Sequence, residues 1–292
     1  MKHFVIYTNP HKDKNGSMAA RIREYLLKRS CEVSLVIMSE EGQAPPQIPE
    51  HADCMLVLGG DGTMLQASCD VKQKQIPMIG VNLGTLGYMT EIEPAALEKA
   101  LELLIKGEYE TESRMMLSGC VIGCGCKSSG ELLTEGAQLL AEDTALNDIV
   151  ISRSGSLQII TFNIYVNGQF LNQYSADGVI ITTPTGSTGY NLSAGGPIVE
   201  PKARLIMVTP ICPHTLNKRS IILAAEDEIE VTIPEGRNGK LQQVEVSFDG
   251  NHAIVLRTGD SVRIRQAEKT TEIIKLNRVS FLEILHKKMS ES

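Results

Sequence analysis

The spacing of apolar residues changes character once along this chain. Up to about residue 115, short unbroken apolar runs alternate with helical patterns. Phe4-Val5-Ile6-Tyr7 predicts a first strand. Met18, Ile22, Tyr25 and Leu26 recur at offsets of four, seven and eight, which puts them on one face of a helix. Val33 to Met38, Met55 to Leu58 and Ile76 to Val81 predict further strands. The run at 55–58 has no alternation, so it fits a strand covered on both faces. Pro94 opens a helix in its first turn, Leu97, Leu101, Leu104 and Ile105 give it an apolar face, and Gly107 ends it. Strand–helix alternation of this kind implies a Rossmann-like α/β domain with a mostly parallel sheet.

Beyond residue 115 the period becomes two. Ile160, Phe162, Ile164 and Val166 alternate with Thr161, Asn163 and Tyr165, and Asn167-Gly168 supplies a hairpin turn. Ile229, Val231 and Ile233 repeat the pattern, as do Val244, Val246 and Phe248. Val262 and Ile264 face away from Arg263 and Arg265. These segments predict an antiparallel, all-β domain layered as a sandwich. No Pro-rich or Ser-rich linker separates the halves. The change of period alone places the domains at 1–115 and 116–275. In the tail, Phe281, Ile284 and Leu285 sit at a spacing that both helix and strand admit.

Composition narrows the function classes. At 292 residues there is room for two cores. A formal charge of −7 argues against a nucleic-acid or membrane-surface binder. The segment MKHFVIYTNP has no signal-peptide apolar region, and no apolar run reaches membrane length, so a cytoplasmic protein is expected. Seven scattered cysteines fit reduced thiols better than a disulfide framework. Cys120, Cys124 and Cys126 lack the paired spacing of a zinc site and read as ordinary thiols.

Two glycine-bearing segments carry the candidate chemistry. The first is Gly59-Gly60-Asp61-Gly62-Thr63, directly after the run at 55–58. Glycines there let phosphate approach bare N–H groups, and a helix beginning near Met64 would add its N-terminal donors. Asp61 is the odd member, because a carboxylate repels phosphate. It makes sense as the acceptor of a proton from an attacking hydroxyl, or as a ligand to a divalent cation. The plain alternative is a helix cap. The second segment is DGVIITTPTGSTGYNLSAGGP at 177–197. Between them, Asn147-Asp148 interrupts the apolar surroundings of ALNDIVI, and buried polar groups need partners. A local turn is the plain alternative there. There is no GxxxxGK[ST], so Walker-type chemistry is excluded.

The chain resembles the NAD kinases. The resemblance rests on GGDGT at 59–63, VNLGTLGY at 81–88, SRMML at 113–117, ALNDIVI at 145–151, DGVIITTPTGSTGYNLSAGGPI at 177–198, TPICPHTL at 209–216 and SFDG at 247–250. These blocks stand in the family's order and span most of the chain. GGDGT alone is shared with diacylglycerol and sphingosine kinases, whereas the long block is far more specific. The resemblance implies transfer of the γ-phosphoryl group of ATP to the adenosine 2′-hydroxyl of NAD. It implies Mg²⁺ or Mn²⁺ as cofactor, and a homodimer or homotetramer whose neighbouring subunits contribute to the site. It implies that the C-terminal segment, 276–292, returns to the first domain. It makes Asp61 the general base. The implied NAD-binding residues are Asp61, Gly62, Asn147, Asp148, Asp177, Thr188, Gly189, Tyr190 and Ser193, with Tyr190 able to stack or hydrogen-bond.

Five further positions are implied near the site, Thr63, Gln66, Gln158, Ser175 and Asn251, and the last four depart from the family pattern. Relatives often carry Arg or His at Gln66, His at Gln158, a cation at Ser175 and Gln at Asn251. A small residue at 175 goes with acceptance of NADH besides NAD. Asp249-Gly250 is also a standard hairpin turn, and His214 reads as structural. Two other functions stay open on the residues alone. One is a lipid kinase, which would be expected to show a basic or amphipathic membrane-facing surface. The other is a non-catalytic dinucleotide sensor, which would not require Asp61.

Overall fold

A computed structural model describes residues 1–39, 44–71, 74–84, 87–126, 132–155, 158–215, 218–277 and 279–290. The chain divides into two units, one of Met1–Arg114 with Thr271–Ser292 and the other of Met115–Thr270.

Unit 1 follows the alternation read from the pattern. Its elements are β1 (His3–Thr8), α1 (Ser17–Leu27), β2 (Glu32–Ile37), β3 (Cys54–Gly59), α2 (Asp61–Val71), β4 (Met78–Asn82), β5 (Thr90–Ile92) and α3 (Leu97–Lys106). The strands run β2-β1-β3-β4 with β5 beyond, and every pairing is parallel. All six residues of β3 are buried, as expected of a strand covered on both faces. Ile22 and Leu26 of α1 and Leu97, Leu101 and Leu104 of α3 share a core with Phe4, Leu56 and Ile79. Gly107 adopts φ +78° at the end of α3, the left-handed cap that its sequence position predicts.

Unit 2 holds the rest: β6 (Glu110–Cys126, which begins at the end of unit 1), β7 (Leu132–Ala145), β8 (Asp148–Arg153), β9 (Ile160–Val166), β10 (Gln169–Ala176), β11 (Gly178–Thr182), a short α4 (Tyr190–Ser193), β12 (Leu205–Ile211), β13 (Ile221–Ala224), β14 (Ile229–Thr232), β15 (Gln243–Phe248) and β16 (Asn251–Arg257). The strand β17 (Ser261–Lys275) begins in unit 2 and ends in unit 1, where Ile273 pairs in parallel with Met78. One antiparallel layer runs β13-β12-β11-β8-β15-β16, and a second contains β10-β9-β14-β17, with β6 pairing both β17 and β7. Ile149, Ile151, Val179, Ile181, Val244 and Val246 of the first layer bury into one core with Phe162, Ile164, Val231, Val262 and Ile264 of the second. That is the sandwich which the period of two implied. Asn167 and Gly168 both take positive φ, +50° and +75°, as a two-residue hairpin turn requires.

The tail resolves its ambiguous spacing as a helix, α5 (Phe281–Ser290), within unit 1. No helix of the described residues is long and apolar enough to cross a membrane.

Candidate active site

In unit 1 the GGDGT segment joins β3 to α2, and Asp61 is the first residue of that helix. The carboxylate is half-buried and aimed back at the chain that follows β4. Its Oδ2 accepts the N–H of Tyr88 at 2.7 Å and its Oδ1 accepts that of Met89 at 3.0 Å. Two charge-assisted bonds on separate oxygens fix the orientation of the group. The close approach requires Gly87, because a Cβ there would lie 2.1 Å from Asp61 Oδ1. The cap reading is therefore incomplete: the carboxylate serves the 87–89 segment. Gly62 is exposed on the first turn of α2, and Thr63 is buried with its Oγ1 accepting from Asn9 Nδ2 at 3.3 Å. Gln66, one turn further, spends its amide on its own helix, donating to Asp70 Oδ1 at 2.9 Å. Tyr7 donates to the other oxygen of Asp70 at 2.6 Å. Burial, followed by the Asp70 bond, drives the Tyr7 phenol far above its ordinary range. Nearby, the buried Arg114 pairs with the half-buried Glu112 at 2.6 Å, and burial lowers the pKa of the Arg114 guanidinium. Neither the Tyr7–Asp70 bond nor the Glu112–Arg114 pair is signalled by a local motif.

In unit 2, Asn147 and Asp148 stand where β7 ends and β8 begins. Asn147 O accepts from Thr183 N at 2.8 Å and from Thr182 Oγ1 at 2.9 Å, which ties the pair to the end of β11. The glycine-rich loop then folds back over them. A Cβ on Gly186 would sit 2.5 Å from Asn147 O, and one on Gly189 would sit 3.3 Å from Asn147 Nδ2. Asn147 Oδ1 is buried and has no hydrogen-bond partner among the described residues, an acceptor that invites a ligand donor. The Asp148 carboxyl is buried too, and burial with the adjacent Asp249 charge pushes it up to about 7. Asp249 accepts the backbone N–H groups of Leu146, Asn147 and Asp148 at 2.7, 2.7 and 3.0 Å. Thr188 and Gly189 lie half-buried beside Asn147, while Tyr190 and Ser193 on α4 are exposed. At 47% exposure Tyr190 is not a core tyrosine. Asn251 opens β16, opposite Phe248 across the Asp249-Gly250 turn.

The remaining predicted residues lie elsewhere in unit 2. Asp177 precedes β11 and faces Arg153, with Arg153 Nε 3.4 Å from its Oδ1. Ser175 is half-buried and its carbonyl accepts the N–H of His214 at 2.8 Å. Gln158 is exposed two residues before β9. The structure thus gathers Asn147, Asp148, Thr188 and Gly189 at one end of β11 and leaves Ser175 and Asp177 at the other.

The family model of the ATP-NAD kinase N-terminal domain matches residues 32–109, and that of the ATP-NAD kinase C-terminal domain matches 146–276. The NAD kinase of Lachnospira eligens is 44% identical over 99% of this chain and 100% of its own length. The chain belongs to the NAD kinase family. A second relative, the NAD kinase of Agathobacter rectalis, is 43% identical over 99% of both chains. Among solved structures, an NAD kinase from Archaeoglobus fulgidus in complex with ATP superposes with a TM-score of 0.75 at 26% identity, covering 99% of each chain. Yeast NADH kinase complexed with NADH gives a TM-score of 0.81 at 24% identity, over 99% of this chain and 88% of that one, and shares the fold. Among the described residues of this family member, Asp61 at the head of α2 is a carboxylate fixed by two backbone N–H groups, and Asn147 Oδ1 is a buried acceptor without a partner.

Proposed function

We propose that this chain phosphorylates the adenosine 2′-hydroxyl of NAD, with ATP as donor and Asp61 as general base. The observation that carries the reading is the Asp61 carboxylate, held by two backbone N–H groups at the head of α2 inside GGDGT. A base oriented before substrate arrives loses little on taking the hydroxyl proton as the oxygen attacks the γ-phosphorus. Asn147 and Asp148 bind the dinucleotide through the buried Asn147 Oδ1 acceptor and the Asp148 carboxyl. Tyr190 offers an exposed ring to stack on a base, and Thr188, Gly189 and Ser193 line the same segment. The lipid-kinase alternative loses its support, since GGDGT was its only feature and the chain belongs to the NAD kinase family.

Among the described residues no group of three or more His, Cys, Asp or Glu is placed to hold a metal ion. We propose that Mg²⁺ or Mn²⁺ is held chiefly by the phosphates of ATP, with the Asp61 carboxylate as the protein group that would approach it. The cation, when bound, neutralises charge on the transferred phosphoryl group. We propose further that the protein is cytoplasmic and a homo-oligomer, and that it accepts NADH besides NAD.

The test of the base is Asp61→Asn, assayed with NAD, ATP and Mg²⁺. Turnover should fall at least ~10²-fold, the scale of losing a general base, while a thermal melt shows the fold retained. Near-wild-type turnover would remove Asp61 from the mechanism. The acceptor is tested at position 175. Ser175→Arg should shift the ratio of kcat/KM values toward NAD. The shift should be modest, on the order of 1 kcal/mol, since a half-exposed charge is screened and Arg153 already places a cation against Asp177. If the wild type ignores NADH, or the ratio does not move, position 175 does not set the preference.

A further inference from the structure

We infer that Asp249 is a positioning residue for dinucleotide binding, acting through the backbone of residues 146–148. The inference rests on the reading of Asn147 and Asp148 as dinucleotide ligands. An Asp-Gly hairpin turn asks nothing of its Asp side chain, because Asn or Gly serves as well. Asp249 does take the turn conformation, with φ +50° beside Gly250 at +74°. Its carboxylate, however, leaves its own hairpin and reaches a segment 101 to 103 residues away in sequence. There it accepts three consecutive backbone N–H groups, Leu146 on Oδ2 at 2.7 Å, and Asn147 and Asp148 on Oδ1 at 2.7 and 3.0 Å. The link is reciprocal, since Asp249 N donates to Asp148 O at 2.9 Å.

Three successive N–H groups converging on one carboxylate hold the backbone of the residues that carry them. Here the anion is a side chain of the protein itself. On the other side, Asn147 O is held by Thr183 N and Thr182 Oγ1. The backbone at 147 is thus clamped from two sides, by the end of β11 and by the β15–β16 turn. What the clamp leaves unspent is the Asn147 side-chain oxygen, buried and without a partner among the described residues. Holding such an acceptor in place before the ligand arrives lowers the ordering cost of binding. Asp249 need not touch the dinucleotide to do this.

The test is the steady-state kinetics of Asp249→Asn, with Asn147→Ala and the double variant. Asn keeps the size and tolerates the left-handed backbone, but one of its two acceptors becomes an NH₂ that faces an N–H donor. Loss of charge-assisted bonds should raise KM for NAD at least ~10-fold, with kcat and KM for ATP within about threefold. The melting temperature should fall as well, because buried N–H donors lose a charged acceptor, while a single cooperative melt shows the fold retained. Asn147→Ala should raise KM for NAD by itself. In the double variant the two effects should fall well short of additive, as expected of groups that act through one another. A fall in kcat with KM for NAD unmoved, or full additivity, would overturn the inference. Asn147→Ala with unaltered KM for NAD would instead defeat the underlying reading of residue 147. If Asp249→Asn does not fold, Asp249→Ser, which retains one acceptor, replaces it. Should neither fold, Asp249 is a folding residue and the proposal is lost.

Discussion

Burial pushes the Asp148 carboxyl up to about 7, with the charge of Asp249 adding to it. Asp249 is pushed up to about 6 by burial and by Asp143, against the pull of its three N–H bonds. Those bonds favour the charged form, so Asp249 ionises first and Asp148 keeps its proton longer. In the unfolded chain both titrate near 3.8. Between about pH 4 and pH 7 the native state therefore binds more protons than the unfolded one, and the stability contributed by these groups is lost as pH rises through that window. Asp148→Asn removes its share of the dependence. Urea midpoints measured from pH 5 to pH 8 should fall less steeply in the variant than in wild type. Equal slopes would show that Asp148 does not titrate there. Asp61 and Asn147-Asp148 were legible because short-range chemistry marks them: a carboxylate among phosphate-loop glycines, a polar pair breaking an apolar run. The reach of Asp249 was not. Its Asp-Gly context accounts for it locally, and its partners are a hundred residues away. Tyr7 and Asp70, 63 residues apart, were hidden for the same reason.

Elements were legible wherever the apolar period was unbroken, as in β3, α3, β9 and β15. The long hairpin of β6 and β7 was not, although the strands span 17 and 14 residues. Its register shifts between Val121, opposite Ala141, and Ile122, opposite Leu139, so that one extra residue on β7 reverses the phase of the alternation there. The tail was ambiguous because three apolar residues do not separate a period of two from one of 3.6. As a helix, α5 buries none of its residues, so its own packing holds it weakly. Its aromatic contact is with Tyr88, whose ring centroid lies 6.2 Å from that of Phe281, while Lys288 Nζ sits 4.5 Å from the centre of the Tyr88 ring. Tyr88 is also the residue whose N–H holds Asp61 Oδ2. A helix that contributes little to stability thus contacts the residue whose N–H holds Asp61, the proposed base. Phe281→Ala should lower kcat by roughly threefold to tenfold, the range of losing an aromatic pair worth about 0.5–1.5 kcal/mol, with KM for NAD and the melting temperature nearly unchanged. Unaltered kcat in the variant would show that α5 does not support the base.

At the scale of the whole molecule, the sequence pattern separated an α/β fold from an antiparallel sandwich. It could not say where the candidate ligand residues fall within the sandwich, because strand pairing decides that. β11 pairs Thr182 with Asp148 and Gly178 with Ser152. Asp177 is therefore five residues along the strand from Thr182, or ~17 Å at about 3.3 Å per residue. The two groups of proposed dinucleotide ligands stand at opposite ends of one strand. A symmetric oligomer in which the Asp177 end of one copy meets the Asn147 end of another would supply both to one ligand. The layer that carries them ends in edge strands with apolar residues in solvent, Ile222 on β13 and Val255 on β16. The outer face of β15 is not apolar, since Val244 and Val246 are buried in the core. Light scattering at micromolar concentration should find a homo-oligomer. The sharper check is complementation. Asp177→Ala and Asn147→Ala should each be poorly active alone. Co-expressed in equal amounts as a two-fold assembly, half of the pairs are mixed, and each mixed pair has one intact site of two. About a quarter of wild-type activity should return if the site is shared across the symmetry axis. A mixture no better than the mean of its parents, or a fully active monomer, would place both ends of β11 at separate tasks within a single chain.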